Sequence, residues 1–253
     1  MFGPTPWGRN MPKSRKIGAR FLLSFLAFAT HGVMRSQGSA PGSELIVFCD
    51  VSASLKPEAI KAEPDLIFRF IANNTWFPQG TFTVYIADRD VERQYMVSGE
   101  KKPSGRDEQN LIQAAQLRAK CEELKKKLAE YCTQNPPLAR NKTCLVKAIR
   151  VAPHLFNEKT PNGNRRILIM SDMLEDCYAQ GDPKTPVELK TRIDRSLSQY
   201  QLASLNGLGV YAAILPSSSD RIEIDDLRTI WGSTLQAAHA ALTLEPSNKP
   251  LSK

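Results

Sequence analysis

The chain has 253 residues, 42% of them hydrophobic, with 34 Lys and Arg against 26 Asp and Glu, a formal charge of +8. The excess charge is local. Arg9, Lys13, Arg15, Lys16, Arg20 and Arg35 precede Glu44 with no acid among them, and removing those six leaves 28 basic residues against 26 acidic ones. The composition supports a globular core. The near-neutral remainder excludes a charge-based argument for nucleic acid as a partner.

Residues 1–40 read as a signal peptide or N-terminal membrane-targeting segment. A basic stretch ends at Arg20, and the apolar run from Phe21 to Met34 is too short and broken for a comfortable membrane span. Small residues at Ala27-Phe28-Ala29 or Gly38-Ser39-Ala40 follow, as they do in secretory signals. An uncleaved anchor or an amphipathic N-terminal helix is the alternative, and any membrane contact is assigned to this segment alone. The layout predicts an exported bacterial protein, periplasmic or at the cell surface.

Residues 41–245 form the predicted folded domain, with a tail over 246–253. Leu45 to Cys49 is a short apolar run rich in branched side chains, which predicts a buried parallel strand. It ends abruptly in Asp50, Ser52 and Ser54. Glu58 to Asn73 is a predicted helix with Pro57 ahead of it, and Thr81 to Ala87 a second strand. A turn at Asp88 to Asp90 leads into a third strand, Val91 to Val97, which so short a connection makes antiparallel. After a polar loop, Asp107 to Cys132 is a long helix whose seam is Leu117, Cys121, Leu124, Leu128 and Tyr131. It is a helical insertion, around residues 105–135, that either packs on the domain or offers a partner surface.

A loop over 134–141 precedes Thr143, which fronts a helix containing Leu145, Ala148 and Ile149. Ile167 to Met170 is a further buried strand, ending in Ser171 and Asp172. Val187 to Leu205 (helix), Val210 to Leu215 (strand) and Glu223 to Leu242 (closing helix) complete the domain. Strands alternating with helices imply an α/β domain with a doubly wound, mostly parallel sheet and one antiparallel edge strand. The five cysteines contain no C-x-x-C pair; Cys121 and Cys132 lie too far apart on one helix to bond, while Cys132 with Cys144 is open.

The D-x-S-x-S stretch at Asp50, Ser52 and Ser54, followed by Thr143 before a helix and Asp172 at a strand end, resembles the metal-ion-dependent adhesion site of von Willebrand factor type A domains. The resemblance spans roughly Glu44 to Leu242. It implies a Rossmann-like fold and a bound Mg²⁺ (or Mn²⁺ or Ca²⁺). Ser52, Ser54 and Thr143 would touch the ion directly or nearly so, and Asp50 and Asp172 would hold its waters. It also implies a protein partner that supplies an acidic side chain to the ion. The family's usual residue after the Asp is Gly; Met173 stands there, so the loop is expected to turn differently, with Glu175 or Asp176 competing for the ion.

Non-metal alternatives are the bland ones. Ser52, Ser54 and Thr143 are also good helix caps. An enzyme is not expected: the histidines are His31, His154 and His239, none near a predicted strand end. G-x-S-x-G and the phosphate-binding P-loop are absent. Two further readings are a structural domain with a vestigial metal site and, less favoured, a Mg²⁺-dependent phosphoester hydrolase.

Overall fold

A computed structural model describes residues 42–136, 140, 142–178, 181–202, 205–217 and 222–247. The targeting segment with its His31, and the tail over 248–253, lie outside the described residues. Strand β1 (Ser43–Cys49) is the centre of the architecture. Leu45 to Cys49 are all fully buried, because parallel strands lie on both sides and helices on both faces. Leu45, Val47 and Cys49 point into one core layer, Ile46 and Phe48 into the other.

The first layer is roofed by α1 (Pro57–Asn73) and α2 (Asp107–Gln134), and the second by α3 (Leu145–Leu155), α4 (Pro186–Gln199) and α5 (Ile224–Ala237). The other strands are β2 (Gly80–Ile86), β3 (Tyr95–Lys101), β4 (Arg165–Ser171), β5 (Gly209–Ile214) and β6 (Ala241–Pro246). The sheet runs β3-β2-β1-β4-β5-β6, with β3 antiparallel at one edge and every other pair parallel. This is the expected doubly wound α/β class. The direction of winding reverses between β1 and β4. The loops leaving their carboxyl ends therefore diverge and leave a crevice, where open α/β sheets hold ligands.

The long helix packs on the domain: Leu117, Cys121, Leu124 and Leu128 are buried against α1 and β3. Three expected elements are corrected. The hairpin is not tight, since Val91–Arg93 is a 3-10 turn with Val91 buried, and β3 begins only at Tyr95 and runs on to Lys101. Helix α4 stops at Gln199 rather than Leu205. The closing helix ends at Ala237, and the residues read as its last turn begin β6. His239 makes that break, with φ 61°, a left-handed conformation that costs a side-chain-bearing residue about 1–2 kcal/mol.

Candidate metal centre

The rim between β1 and β4 brings together all five candidate residues from three separate segments. Asp50 is the hub. Its backbone N–H continues the sheet to Met170 O at 2.9 Å, so its position is fixed by the β1–β4 pairing. Its Oδ1 accepts from Ser52 N–H (2.9 Å) and from the Thr143 hydroxyl (3.1 Å), and its Oδ2 accepts from the Ser171 hydroxyl (2.6 Å). Ser52 and Ser54, alternate residues of one loop, share a hydroxyl–hydroxyl hydrogen bond of 2.7 Å. Asp50, Ser52, Ser54, Thr143 and Asp172 are all buried.

Asp172 completes the rim from β4. Its Oδ1 accepts from Leu174 N–H at 3.2 Å. The Ser54 and Ser217 hydroxyls approach its carboxylate closely enough to favour the charged form, yet Oδ2 has no well-formed hydrogen bond and no exposure to solvent. A carboxylate oxygen in that condition costs free energy unless something else satisfies it.

Met173 does not take an ordinary right-handed or extended backbone conformation. Its φ is 62°, the left-handed region that a glycine would supply without strain. Its N–H donates to Ser171 Oγ (2.9 Å), its carbonyl accepts from Trp231 Nε1 (2.9 Å), and its side chain is fully buried. Nor do the next two carboxylates turn toward the serine pair. Glu175 accepts from Val146 N–H (3.1 Å) and Ser196 Oγ (2.7 Å), and Asp176 accepts from Thr143 N–H while its own N–H donates to Thr143 O (3.1 Å). Both carboxylates meet the start of α3, where free N–H groups and the helix dipole favour negative charge. The neighbouring Cys144 and Cys177 form a disulfide. Cys132 therefore does not pair with Cys144, and Cys49, Cys121 and Cys132 are free thiols.

Sequence reasoning missed three members of this neighbourhood. Ser171 holds Asp50; its place immediately before Asp172 was the available signal. Ser217, after β5, bridges back to Leu55 and donates to Ser54 O at 3.3 Å. Glu63 lies beneath the loop on α1, fully buried, with Oε1 accepting from Asp50 N–H at 3.3 Å and Oε2 unpartnered. Nothing in the α1 sequence marks it except a carboxylate on an otherwise apolar face.

The electrostatics follow from burial. Desolvation is the first cause that pushes Asp172 up to about 8, Asp176 up to about 8 and Glu175 up to about 7, and it raises Asp50 and Glu63 as well. Mutual repulsion with Asp50 adds to the rise for Asp172, Asp176, Glu175 and Glu63. Acids whose folded pKa is raised keep their protons in the folded state. They contribute stability that is present below the ordinary carboxylate range and is lost as pH climbs through about 7 to 8. In EDTA, thermal unfolding is therefore expected at a higher temperature at pH 5 than at pH 8; equal midpoints would count against this electrostatic picture.

Among the described residues no group of three His, Cys, Asp or Glu side chains is arranged to hold a metal. The donors gathered at the rim are mixed instead: three hydroxyls with two carboxylates behind them. Such an all-oxygen set suits a hard cation. The unsatisfied Asp172 Oδ2 and the crowded carboxylates both fit a positive charge placed there.

No family model matches the chain, and no curated protein matches it. Among solved structures, it is similar to a von Willebrand factor type A structure from Catenulispora acidiphila, at 14% identity over 81% of this chain and a TM-score of 0.38. It spans 39% of the length of that structure. It is also similar to the manganese-loaded TRAP protein of Plasmodium vivax, at 13% identity over 82% of this chain and 70% of that one, with a TM-score of 0.33.

Proposed function

We propose that this chain is a protein-binding domain that holds a divalent cation, Mg²⁺ or a substitute such as Mn²⁺ or Ca²⁺, at the β1–β4 rim. Ser52, Ser54 and Thr143 would hold the ion, with Asp50 and Asp172 behind them through water. When bound, the ion supplies an electrophilic centre that an acidic side chain of a partner protein completes. The observation that carries this reading is Asp172 Oδ2, buried and unpartnered beside the Ser54 hydroxyl in a cluster of carboxylates with raised pKa values.

The chain's own residues do the positioning. Asp50 aligns Thr143 with the Ser52 loop through its Oδ1, and Ser171 fixes the other oxygen. Binding without turnover is favoured by where the histidines stand. His154 lies in the last turn of α3 and His239 just before β6, both at the amino-end edge of the parallel sheet, opposite Ser52 and Ser54. Among the described residues a serine nucleophile would therefore lack a nearby imidazole base. Export, as the N-terminal segment predicts, is part of the proposal, and a disulfide between buried Cys144 and Cys177 agrees with an oxidising compartment.

The test is thermal unfolding of the full chain in EDTA and then in Mg²⁺ or Mn²⁺. Cation at about a hundred times its dissociation constant should add roughly 2.7 kcal/mol, a rise of about 5–10 °C for a domain of this size. Asp50→Ala and Asp172→Asn should each lose that rise. No rise in the wild-type chain would overturn the proposal and leave a structural domain with a vestigial site.

A further inference from the structure

A polar cavity of about 310 Å³ adjoins the rim, lined by Asp50 and Ser52 together with Arg89, Arg140 and Lys142. Arg140 is the decisive residue. It lies in the loop between α2 and Thr143, and it is clasped to the Asp50–Ser54 loop in both directions. Its guanidinium Nη1 donates to Val51 O (2.8 Å), and its carbonyl accepts from Ala53 N–H (3.2 Å). A flexible side chain is thus anchored one residue away from Asp50 and Ser52.

Among the described residues Arg140 has no anionic partner. The same Nη1 lies 3.3 Å from Cys132 Sγ, and Nε is buried with no hydrogen-bond partner. Arg89, which also lines the cavity, donates to Cys177 O at 3.4 Å. Neither guanidinium forms an ion pair among the described residues. The acids lining the cavity form no ion pair with either arginine: Asp50 accepts from Ser52 N–H and from the Thr143 and Ser171 hydroxyls, Asp88 accepts from Tyr131 Oη (2.7 Å) and Asp90 N–H (2.8 Å), and Asp90 is exposed. A guanidinium has five donors in a planar fork that matches a carboxylate. Arg140 uses few of them.

We infer that this cavity is a second anion subsite, and that the partner presents two carboxylates, one to the rim and one to Arg140 and Arg89. The inference rests on the metal reading above for its first carboxylate, and on Arg140 and Arg89 for its second. The two carboxylates have two available sources, neighbouring acidic side chains of one segment or the side chain and α-carboxylate of a C-terminal residue. In either case the subsite selects an acidic ligand of closely spaced charge rather than any single exposed acid.

The test is a titration of the full chain with acetylglutamate amide (one carboxylate), acetyl-triglutamate amide, and acetylglutamate with a free α-carboxylate, each in Mg²⁺ and in EDTA, followed by NMR. One extra charge-assisted contact should make a ligand with two or three carboxylates roughly 10-fold tighter than the single one. Arg140→Gln should bring the single- and multi-carboxylate ligands within about threefold. Arg89→Gln, an exposed position that burdens folding least, should act in the same direction. A gain from triglutamate supports an internal acidic segment; a gain from the free α-carboxylate supports a chain terminus. Preference for two carboxylates that persists in both variants overturns the subsite, as does no preference at all. Arginine-dependent binding that is indifferent to EDTA upholds the subsite and overturns the metal reading. Mg²⁺-dependent binding indifferent to both arginines does the reverse.

Discussion

Truncating Trp231 to alanine is expected to lower stability by roughly 3–5 kcal/mol, and with it the melting temperature by about 10 °C or more. Trp231 is fully buried on α5, among the largest side chains in the second core layer. Its removal deletes a large apolar surface and leaves a cavity that packed neighbours refill only in part. It also removes the donor to Met173 O. That bond matters beyond its own energy, because Met173 is held in a left-handed conformation by just such contacts, and Met173 follows Asp172 directly. Trp231→Phe separates the two effects. It keeps most of the packing and loses the N–H. If the bond only stabilises, Trp231→Phe should cost about 1–2 kcal/mol and leave cation binding unchanged. If the bond also positions Asp172, the Mg²⁺-induced rise should shrink in Trp231→Phe more than its EDTA midpoint falls. Unfolding of Trp231→Ala within a degree or two of the wild-type chain would contradict the packing argument.

The class of the fold was legible because β1, β4 and β5 are buried on both faces, which makes a parallel strand a continuous apolar run rather than an alternating one. The edges were less so. β6 begins in the run Ala237 to Ala241, whose composition favours helix, and the signal for a strand is only the short alternation of Leu242, Thr243, Leu244 and Glu245. The backbone reversal at His239, which separates the two, is set by tertiary packing: the Leu205 N–H donates to Ala238 O, and Ala240 N–H returns to Leu235 O. At the other edge, Val91 to Gln94 alternates like a strand, yet buried Val91 anchors a 3-10 turn. Residues that bury one side chain every other position look alike in the two conformations over so short a stretch.

The candidate rim was legible for a different reason. Asp50, Ser52, Ser54 and Asp172 sit where an apolar strand stops and Thr143 where a helix starts, and such ends can be read from sequence to within a residue or two. Arg140 and Glu63 could not be found that way. Arg140 is in a loop with no periodicity, and its place depends on a hydrogen bond to a backbone carbonyl 89 residues away. Glu63 is one carboxylate among the charged residues of α1 until the helix is set against β1. The left-handed turn at Met173 cannot be read from side-chain identity. The surrounding contacts dictate it, and the side chain contributes by filling the core.

Replacing Cys144 and Cys177 together by alanine should cost roughly 3–4 kcal/mol, about 7–15 °C in melting temperature. The bridge spans a sequence separation of 33 residues, and the figure is the loop-closure entropy returned to the unfolded chain. Alanine suits the test because both cysteines are buried, so serine would add two hydroxyls without water. The disulfide has a second role that entropy alone does not describe. Cys144 follows Thr143, and Cys177 follows Asp176, and Thr143 and Asp176 are joined by two backbone-directed hydrogen bonds. The covalent bond and the hydrogen bonds together clamp the start of α3 to the loop that leaves β4. These are the two segments that deliver Thr143 and Asp172 to the rim. A purely entropic staple would lower the melting temperature equally in EDTA and in Mg²⁺. A clamp on the site would lower it more in Mg²⁺, because part of the lost stability is cation affinity. The larger drop in Mg²⁺ is the expected result, and equal drops would confine the disulfide to the unfolded chain.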